Sequence, residues 1–351
     1  MHKKSIGAAI VVVLLVGFGA VQPVHAAPLG CGAVITANTT LTADVGPCNQ
    51  GGLVVRGNGV TLDLGGHTVF GKPRIGDGVG VLLDHVTGSR VTHGTVMSFD
   101  AGVEVLGGGS NSVDGITAKN NVGGAKSSKN LGDGITIQQS SDNAVSGNIA
   151  TGNGPFSGIS IVDDATNPSV GSDGNTISGN QVVGNNVVAQ GVPVDQDDGI
   201  RIEGPNATNT VIANNRVAGS GLDGIAIFAD QGTGFPNSGS VVAANNINGN
   251  GFHNFPHRKG DGVILFGAPT NPLILGADET TVESNNVANN AADGIAVTSQ
   301  SNSITSNTAQ GNAAYPGVTA WDLHDGNTTP PCDSNTWSGN TFGTSNQSCI
   351  S

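Results

Sequence analysis

Apolar residues in this chain recur two apart, in short bursts, and not at the three-and-four spacing of a helix face. "DGITIQQ" at Asp133 sets Ile135 and Ile137 against Thr136 and Gln138, and "DGIRIEG" at Asp198 sets Ile200 and Ile202 against Arg201 and Glu203. Alternation with period two is the signature of a strand buried on one face. The bursts open on a glycine again and again, at Gly78, Gly102, Gly134, Gly158, Gly199, Gly224, Gly262, Gly294 and Gly317. Successive glycines are closely spaced, as from Gly134 to Gly158, or held apart by added segments, as from Gly158 to Gly199.

A second signature follows in the later copies. "NAVSGN" ends at Asn148, "NTISGN" at Asn180, "NTVIAN" at Asn214, "NSITSN" at Asn307 and "NTWSGN" at Asn340, with variants ending at Asn245 and Asn285. Another asparagine often stands five residues on, at Asn153, Asn185, Asn250, Asn290 and Asn312. Each copy thus offers three short strands separated by glycine or asparagine, the residues that tolerate the left-handed backbone of a sharp corner. Three strands and three corners make one turn of a solenoid. Stacked turns would pair strand on parallel strand about 4.8 Å apart and align equivalent asparagines so that their amides bond along the stack. These asparagines, and the aspartates before each glycine, are therefore read first as structural corner residues.

The D-G-I-x-I and N-x-[VI]-x-x-N pattern resembles the right-handed parallel β-helix repeat of the pectin-lyase-like superfamily, and is similar to the repeats of NosD-type periplasmic proteins. The resemblance runs from about Gly52 to Phe342. It implies an all-β, right-handed, single-stranded parallel β-helix of about ten coils, a rod on the order of 50 Å long. That superfamily holds pectate lyases, polygalacturonases, alginate epimerases, phage tailspikes and non-enzymatic adhesins, so it implies a fold without fixing an activity.

Composition fits such a rod. Glycine supplies 56 of 351 residues and aromatics 4%, too few large rings for a bulky globular core, while 36% apolar residues are regularly placed. The first 26 residues read as an export signal: His2, Lys3 and Lys4 precede an apolar run from Ile6 to Val21, and Val24-His25-Ala26 ends in small residues. The protein is expected to be secreted, with no stable membrane insertion. Four cysteines form two local pairs, Cys31 with Cys48 and Cys332 with Cys349. An even count in an exported chain fits two bridges, and of three connectivities the local one is preferred. Solenoid ends need caps, which divides the chain into a signal (1–26), an N-terminal cap (27–50), the β-helix (51–328) and a C-terminal cap (329–351), where Trp321 and Trp337, the only two tryptophans, are expected to pack, with a role as sugar platforms as the alternative. The formal net charge of −13 becomes more negative without Lys3 and Lys4, which stands against a nucleic-acid partner. A monomer is expected.

The added segments are not scattered. They follow or precede the strand that begins D-G, in the middle copies: "DDATNPSVGSDG" from Asp163, "NVVAQGVPVDQD" from Asn186, "DQGTGFPNSG" from Asp230, "GFHNFPHRKG" from Gly251 and "GAPTNPLILGADET" from Gly267. Two walls over a β floor make a groove, and one-sided insertions in a repeat array mark a binding face. In pectate lyases and their relatives this face carries the substrate cleft. Strand parity puts Glu104, Thr136, Gln138, Ser160, Arg201, Glu203, Ala226, Phe228, Ile264 and Phe266 on that floor. Phe228 and Phe266, with Asp230, His253 and Arg258, are candidates to bind a polysaccharide or other glycan.

Three chemistries compete. An acidic polysaccharide could be cleaved by β-elimination, with Asp163, Asp164, Asp195 and Asp197 holding Ca²⁺ and Arg201 or Lys259 as the base; this is the favoured expectation. Asp197 and Glu203 could instead hydrolyse a glycosidic bond. Epimerisation could use His257 as proton shuttle. The polygalacturonase "NTD…DD…HG…RIK" set, the epimerase "DPHD" and the G-G-x-G-x-D calcium repeat are not seen. A copper or zinc site on His253 and His257 is poorly supplied with soft ligands, Met97 being the single thioether past the signal. A non-catalytic solenoid that binds glycans or envelope material is the alternative from another class.

Overall fold

The computed structural model describes residues 28–72, 78–123, 132–162, 171–187, 197–204, 206–228, 237–252, 259–267, 276–328, 331–332 and 334–351. Residues 1–26, expected to be an export signal, lie outside them. The described residues form a right-handed parallel β-helix. Its first sheet carries eleven parallel strands stacked in chain order: Ala33–Ile35, Leu53–Val55, Val79–Asp84, Ala101–Leu106, Ile135–Gln138, Ile159–Val162, Ile200–Glu203, Ile225–Phe228, Val263–Phe266, Ile295–Val297 and Leu323–Asp325. These strands number the coils 1 to 11. At about 4.8 Å per step the stack is some 48 Å long.

Each coil continues through a second and a third strand. In coil 5 these are Ala144–Ser146 and Ile149–Thr151, which pair in parallel with Thr176–Ser178 and Gln181–Val183 of coil 6. Inward residues stack on their equivalents: Val103, Ile135, Ile159, Ile200, Ile225, Val263, Ile295 and Leu323 form one row without solvent exposure. A β-branched side chain suits this position, because it is stiff at χ1 and packs on its twin in the next coil.

The corner between second and third strands has a fixed length of two residues from coil 5 to coil 11. Its first residue is left-handed throughout: Gly147, Gly179, Asn214, Ala244, Ser284, Ser306 and Gly339 have φ between 55° and 65°. Its second residue is asparagine. Asn215 shows the bonding: its side-chain oxygen accepts the Asn180 N–H at 2.9 Å, and its amide donates to Ile177 O at 2.9 Å and to Asn245 Oδ1 at 3.0 Å. The pattern repeats from Asn148 through Asn180, Asn215, Asn245, Asn285 and Asn307 to Asn340.

One register differs from the sequence expectation. In coil 7 the residue in this row is Asn215, not Asn214; the match "NTVIAN" is offset by one, and Thr210 aligns with Asn175. Period two decides it. The observed register buries Ile212 fully and leaves Val211 half-buried, whereas the shifted one would turn Ile212 outward. Coils 3 and 4 run straight through this corner as long strands, Arg90–Met97 and Ser112–Lys119.

The corner between third and first strands explains the Asp-Gly pair. Asn121, Asn153 and Asn185 bond in a second inward row, and Asn250, Asn290 and Asn312 continue it beyond Ser220. The glycine clears space for these amides: a Cβ on Gly134 would lie 2.7 Å from the Asn153 amide nitrogen, and one on Gly262 2.7 Å from that of Asn290. The aspartate before it accepts a backbone N–H from the coil above. Asp133, Asp198, Asp223, Asp261 and Asp293 accept from Ser157, Asp223, Asp261, Asp293 and Trp321 at 2.9, 2.9, 2.7, 2.9 and 2.6 Å.

Both ends are tied. Cys31–Cys48 closes coil 1, and Cys332–Cys349 holds the tail over coil 11, where Ile350 is buried. Trp337 packs in this cap as expected, its indole donating to Asp325 Oδ2 at 2.8 Å. Trp321 does not. It stands half-buried at the start of the coil 11 first strand, in the row that aspartates fill below it.

The row predicts opposite outcomes for two adjacent substitutions. Asn215→Ala removes bonds to the Asn180 N–H, the Asn180 and Asn245 side-chain amides and the Ile177 carbonyl and should lower stability by about 3 kcal/mol or more. Asn214→Gly keeps a left-handed position that glycine occupies freely and should be neutral or slightly stabilising. Urea unfolding of both variants checks the register; equal losses would refute it.

Candidate functional site

The outer face of the first sheet collects side chains far apart in the chain. Strand register places Glu104, Thr136, Ser160, Arg201, Ala226, Ile264, Ala296 and His324 in one row along the stack. A parallel row two residues on holds Gln138, Val162, Glu203, Phe228 and Phe266. The first row is not the open floor that strand parity suggested. Glu104 is 1% exposed, Arg201 6% and Ala226 0%. The second row is half-buried, so it is the line along which this face meets solvent.

Arg201 sits at the centre. Its Nη1 donates to Asp198 Oδ2 at 2.7 Å and its Nε to Glu203 Oε2 at 2.8 Å, while its guanidinium lies 4.2 Å from the centroid of the Phe228 ring. Burial works to lower its pKa, but Asp198 and Glu203 outweigh that and hold it above its ordinary value. This opposes the base role expected for Arg201, which needs a guanidinium depressed enough to lose a proton. Asp198, read from sequence as a corner residue, is one and also anchors this cation.

Two nearby acids keep their protons far above the usual range. Burial pushes Asp133 up to about 7, with Glu104 adding to it against the Ser157 N–H, Ser160 and Arg201. Burial and the neighbouring Asp198 push Asp197 up to about 8. Asp133 was not singled out in the sequence, because its aspartate is shared by other copies of the repeat. The distinguishing signal was available in the register: Glu104 is the one acid in the floor row, next to the Asp133 coil.

Farther along, Phe228 and Phe266 stack with centroids 5.4 Å apart, over Ala226, Ile264 and Ala296. Lys259 lies on the Tyr315 ring, 4.0 Å from its centroid, two residues ahead of Asp261 and two coils beyond Arg201. That places it at the edge of the sheet and not in the Arg201 cluster. Of the other expected site residues, Asp163, Asp164, Asp195, Asp230, His253, His257 and Arg258 lie outside the described residues, as do most of the added segments. Those segments depart from the two ends of the first-sheet strands: residues 163–170 follow Ile159–Val162, and residues 188–196 precede Ile200–Glu203.

The chain belongs to the NosD family: the family model described as periplasmic copper-binding protein (NosD) matches residues 35–255. No curated protein matches it by sequence. Among solved structures it is similar to the alginate lyase from Paenibacillus sp. str. FPU-7, with 16% identity, TM-score 0.52 and 91% of each chain covered. It is also similar to the catalytic domain of a GH87 α-1,3-glucanase (14% identity, TM-score 0.58, 90% of this chain and 59% of that one). The Dettilon tailspike protein aligns over 92% of this chain at 15% identity and TM-score 0.52, and this chain spans 60% of it. At these identities the likeness is one of fold. The two disulfides fit a location outside the cytoplasm. No described helix is long and apolar enough to cross a membrane.

The described residues do not fit copper. All four cysteines are bonded to one another, and no group of three histidine, cysteine or carboxylate ligands comes together among them. His67, His85 and His93 each face a different aspartate, Asp44, Asp84 and Asp63.

The raised Asp133 fixes a sign for pH. Its unfolded pKa is 3.8 and its folded one about 7. The folded state therefore keeps a proton that the unfolded chain releases, and stability falls as pH rises from about 4 to about 7. Asp133→Asn retains the acceptor for Ser157 without the proton. Its thermal midpoint should fall less than wild type's between pH 5 and pH 8; an unchanged slope would show that Asp133 is ionised throughout.

Proposed function

We propose that this protein binds and hydrolyses a polysaccharide outside the cytoplasm, along the outer face of its first sheet. The observation that carries the reading is the half-buried row of Glu203, Phe228 and Phe266, with Arg201 locked beneath it by Asp198 and Glu203. Aromatic rings offer a sugar its apolar face, and a carboxylate beside them offers hydrogen bonds or a nucleophile. In this reading the half-buried Glu203 is the base or nucleophile, and Asp197, which keeps its proton near neutral pH but is fully buried, donates it only where polymer binding uncovers it.

Charge favours a neutral glycan over an acidic one. The buried guanidinium of Arg201 is ion-paired with both Asp198 and Glu203, so this face has no unpaired Arg201 charge to offer an acidic chain. A uronate chain would need a bridging cation there. Elimination with Ca²⁺ on Asp163, Asp164, Asp195 and Asp197 stays as the second reading, and the resemblance to lyases of this fold is its support.

A polymer panel separates these. Hydrolysis releases reducing ends without absorbance near 235 nm and is insensitive to EDTA; elimination raises that absorbance and stops when EDTA removes the metal. Glu203→Gln should lower turnover by about 10²-fold or more with polymer binding retained. Retention of polymers with no turnover of any would leave a glycan-binding solenoid and end the hydrolytic assignment.

A further inference from the structure

The floor row ends, four coils beyond Arg201, on a group that joins His324 to Trp321. His324 occupies the coil 11 position equivalent to Arg201 in coil 7. Its Nδ1 lies 2.6 Å from Asp293 Oδ2. A carboxylate accepts there, so Nδ1 carries the hydrogen and the ring's Nε2 is left to meet a ligand. Asp293 is itself fixed, because its other oxygen accepts the Trp321 N–H at 2.6 Å. The Trp321 and His324 rings lie 4.9 Å apart at 52°. Both residues are half-buried, unlike Trp337, which is closed into the cap. The arrangement is one aromatic ring, one imidazole with its orientation set by a carboxylate, and the small Ala296 in the row beside it.

This group has no structural duty that explains its residue types. In the coils below, the Trp321 position holds aspartate, whose carboxylate accepts the backbone N–H of the next coil. A tryptophan forfeits that bond. It stands at the head of the last coil, where the C-terminal tail and not a further Asp-Gly coil lies above, on the face that carries Phe228 and Phe266. A flat ring next to an oriented hydrogen-bonding group is the chemistry that holds a pyranose: the ring covers its apolar C–H face and the imidazole bonds a hydroxyl.

We propose that Trp321 and His324, oriented by Asp293, form a distal sugar-binding subsite for the end of a long glycan chain whose middle lies over Glu203 and Phe228. The proposal rests on the glycan reading above. Four coils separate the two places, on the order of 19 Å at the spacing of parallel strands. Short oligosaccharides bound at Glu203 do not reach the subsite, and long ones do.

Tryptophan fluorescence tests it with the whole protein. The probe is a size series of neutral oligosaccharides, from disaccharide to decasaccharide, prepared from the α- and β-glucans that the protein retains in affinity gel electrophoresis. Long members should shift the emission of wild type and short members should not, and Trp321→Phe should remove the shift. Trp321→Ala and His324→Ala should each weaken binding of the long members by about tenfold and leave the short members unchanged, with wild-type thermal midpoints. For a polymer that is turned over, the loss should appear in KM and not in kcat. Retained glucans with still emission and unchanged affinities in these variants would overturn the subsite and leave the glycan reading standing. No retention of any glucan would overturn both.

Discussion

Backbone groups at a tight corner cannot all be taken by neighbouring strands, and in a narrow rod they point into the core, where an unmade hydrogen bond costs about 1–3 kcal/mol. Side chains supply the missing partners here. Between second and third strands each asparagine satisfies an N–H and a carbonyl of the coil before. Between third and first strands the asparagine does the same against a glycine that has no Cβ to obstruct it. Aspartates perform the remaining acceptance at the head of the first sheet. The isoleucine and valine rows provide the driving force through burial, but they are interchangeable in a way that the corner residues are not.

Much of this was legible in the sequence because those corner requirements repeat. Glycine before an alternating burst, and asparagine at fixed offsets, mark the coil directly, and Ile135, Ile200 and Ile225 point inward as their parity requires. The miss at Asn214 has a local origin: two adjacent asparagines both satisfy the motif, and only burial of Ile212 in place of Val211 selects between them. The site was less legible. Parity gives the direction of a side chain but not what lies over it, so Arg201 and Glu104 were placed on the right face and expected in the open, where they are buried. Arg201 was a natural candidate base until its two carboxylate partners were seen. Trp321 looked like cap material because tryptophan is scarce and it falls near the end of the chain; its neighbours Asp293 and His324 are distant or ambiguous in sequence and adjacent in space.

The electrostatics of the first-sheet face follow from the same architecture. A structural aspartate at the head of successive coils stacks negative charge along one edge, and a second acid close by, such as Asp197 beside Asp198, is held neutral by the burial they share and by that charge. A cation placed among them, Arg201, is absorbed into ion pairs and stiffens Phe228 above it. What the face presents outward is then a carboxylate and aromatic rings, not free positive charge.

The two-residue corner between second and third strands also constrains how such a chain can change over generations. A residue gained or lost there in one coil would interrupt a bonded asparagine row on both sides, and selection would remove it. Length variation is therefore steered toward the flanks of the first sheet, where the added segments of coils 6 to 9 are found. A lineage built on this rod can replace its specificity loops while the scaffold stays the same, which is how fold and ligand come to evolve at different speeds.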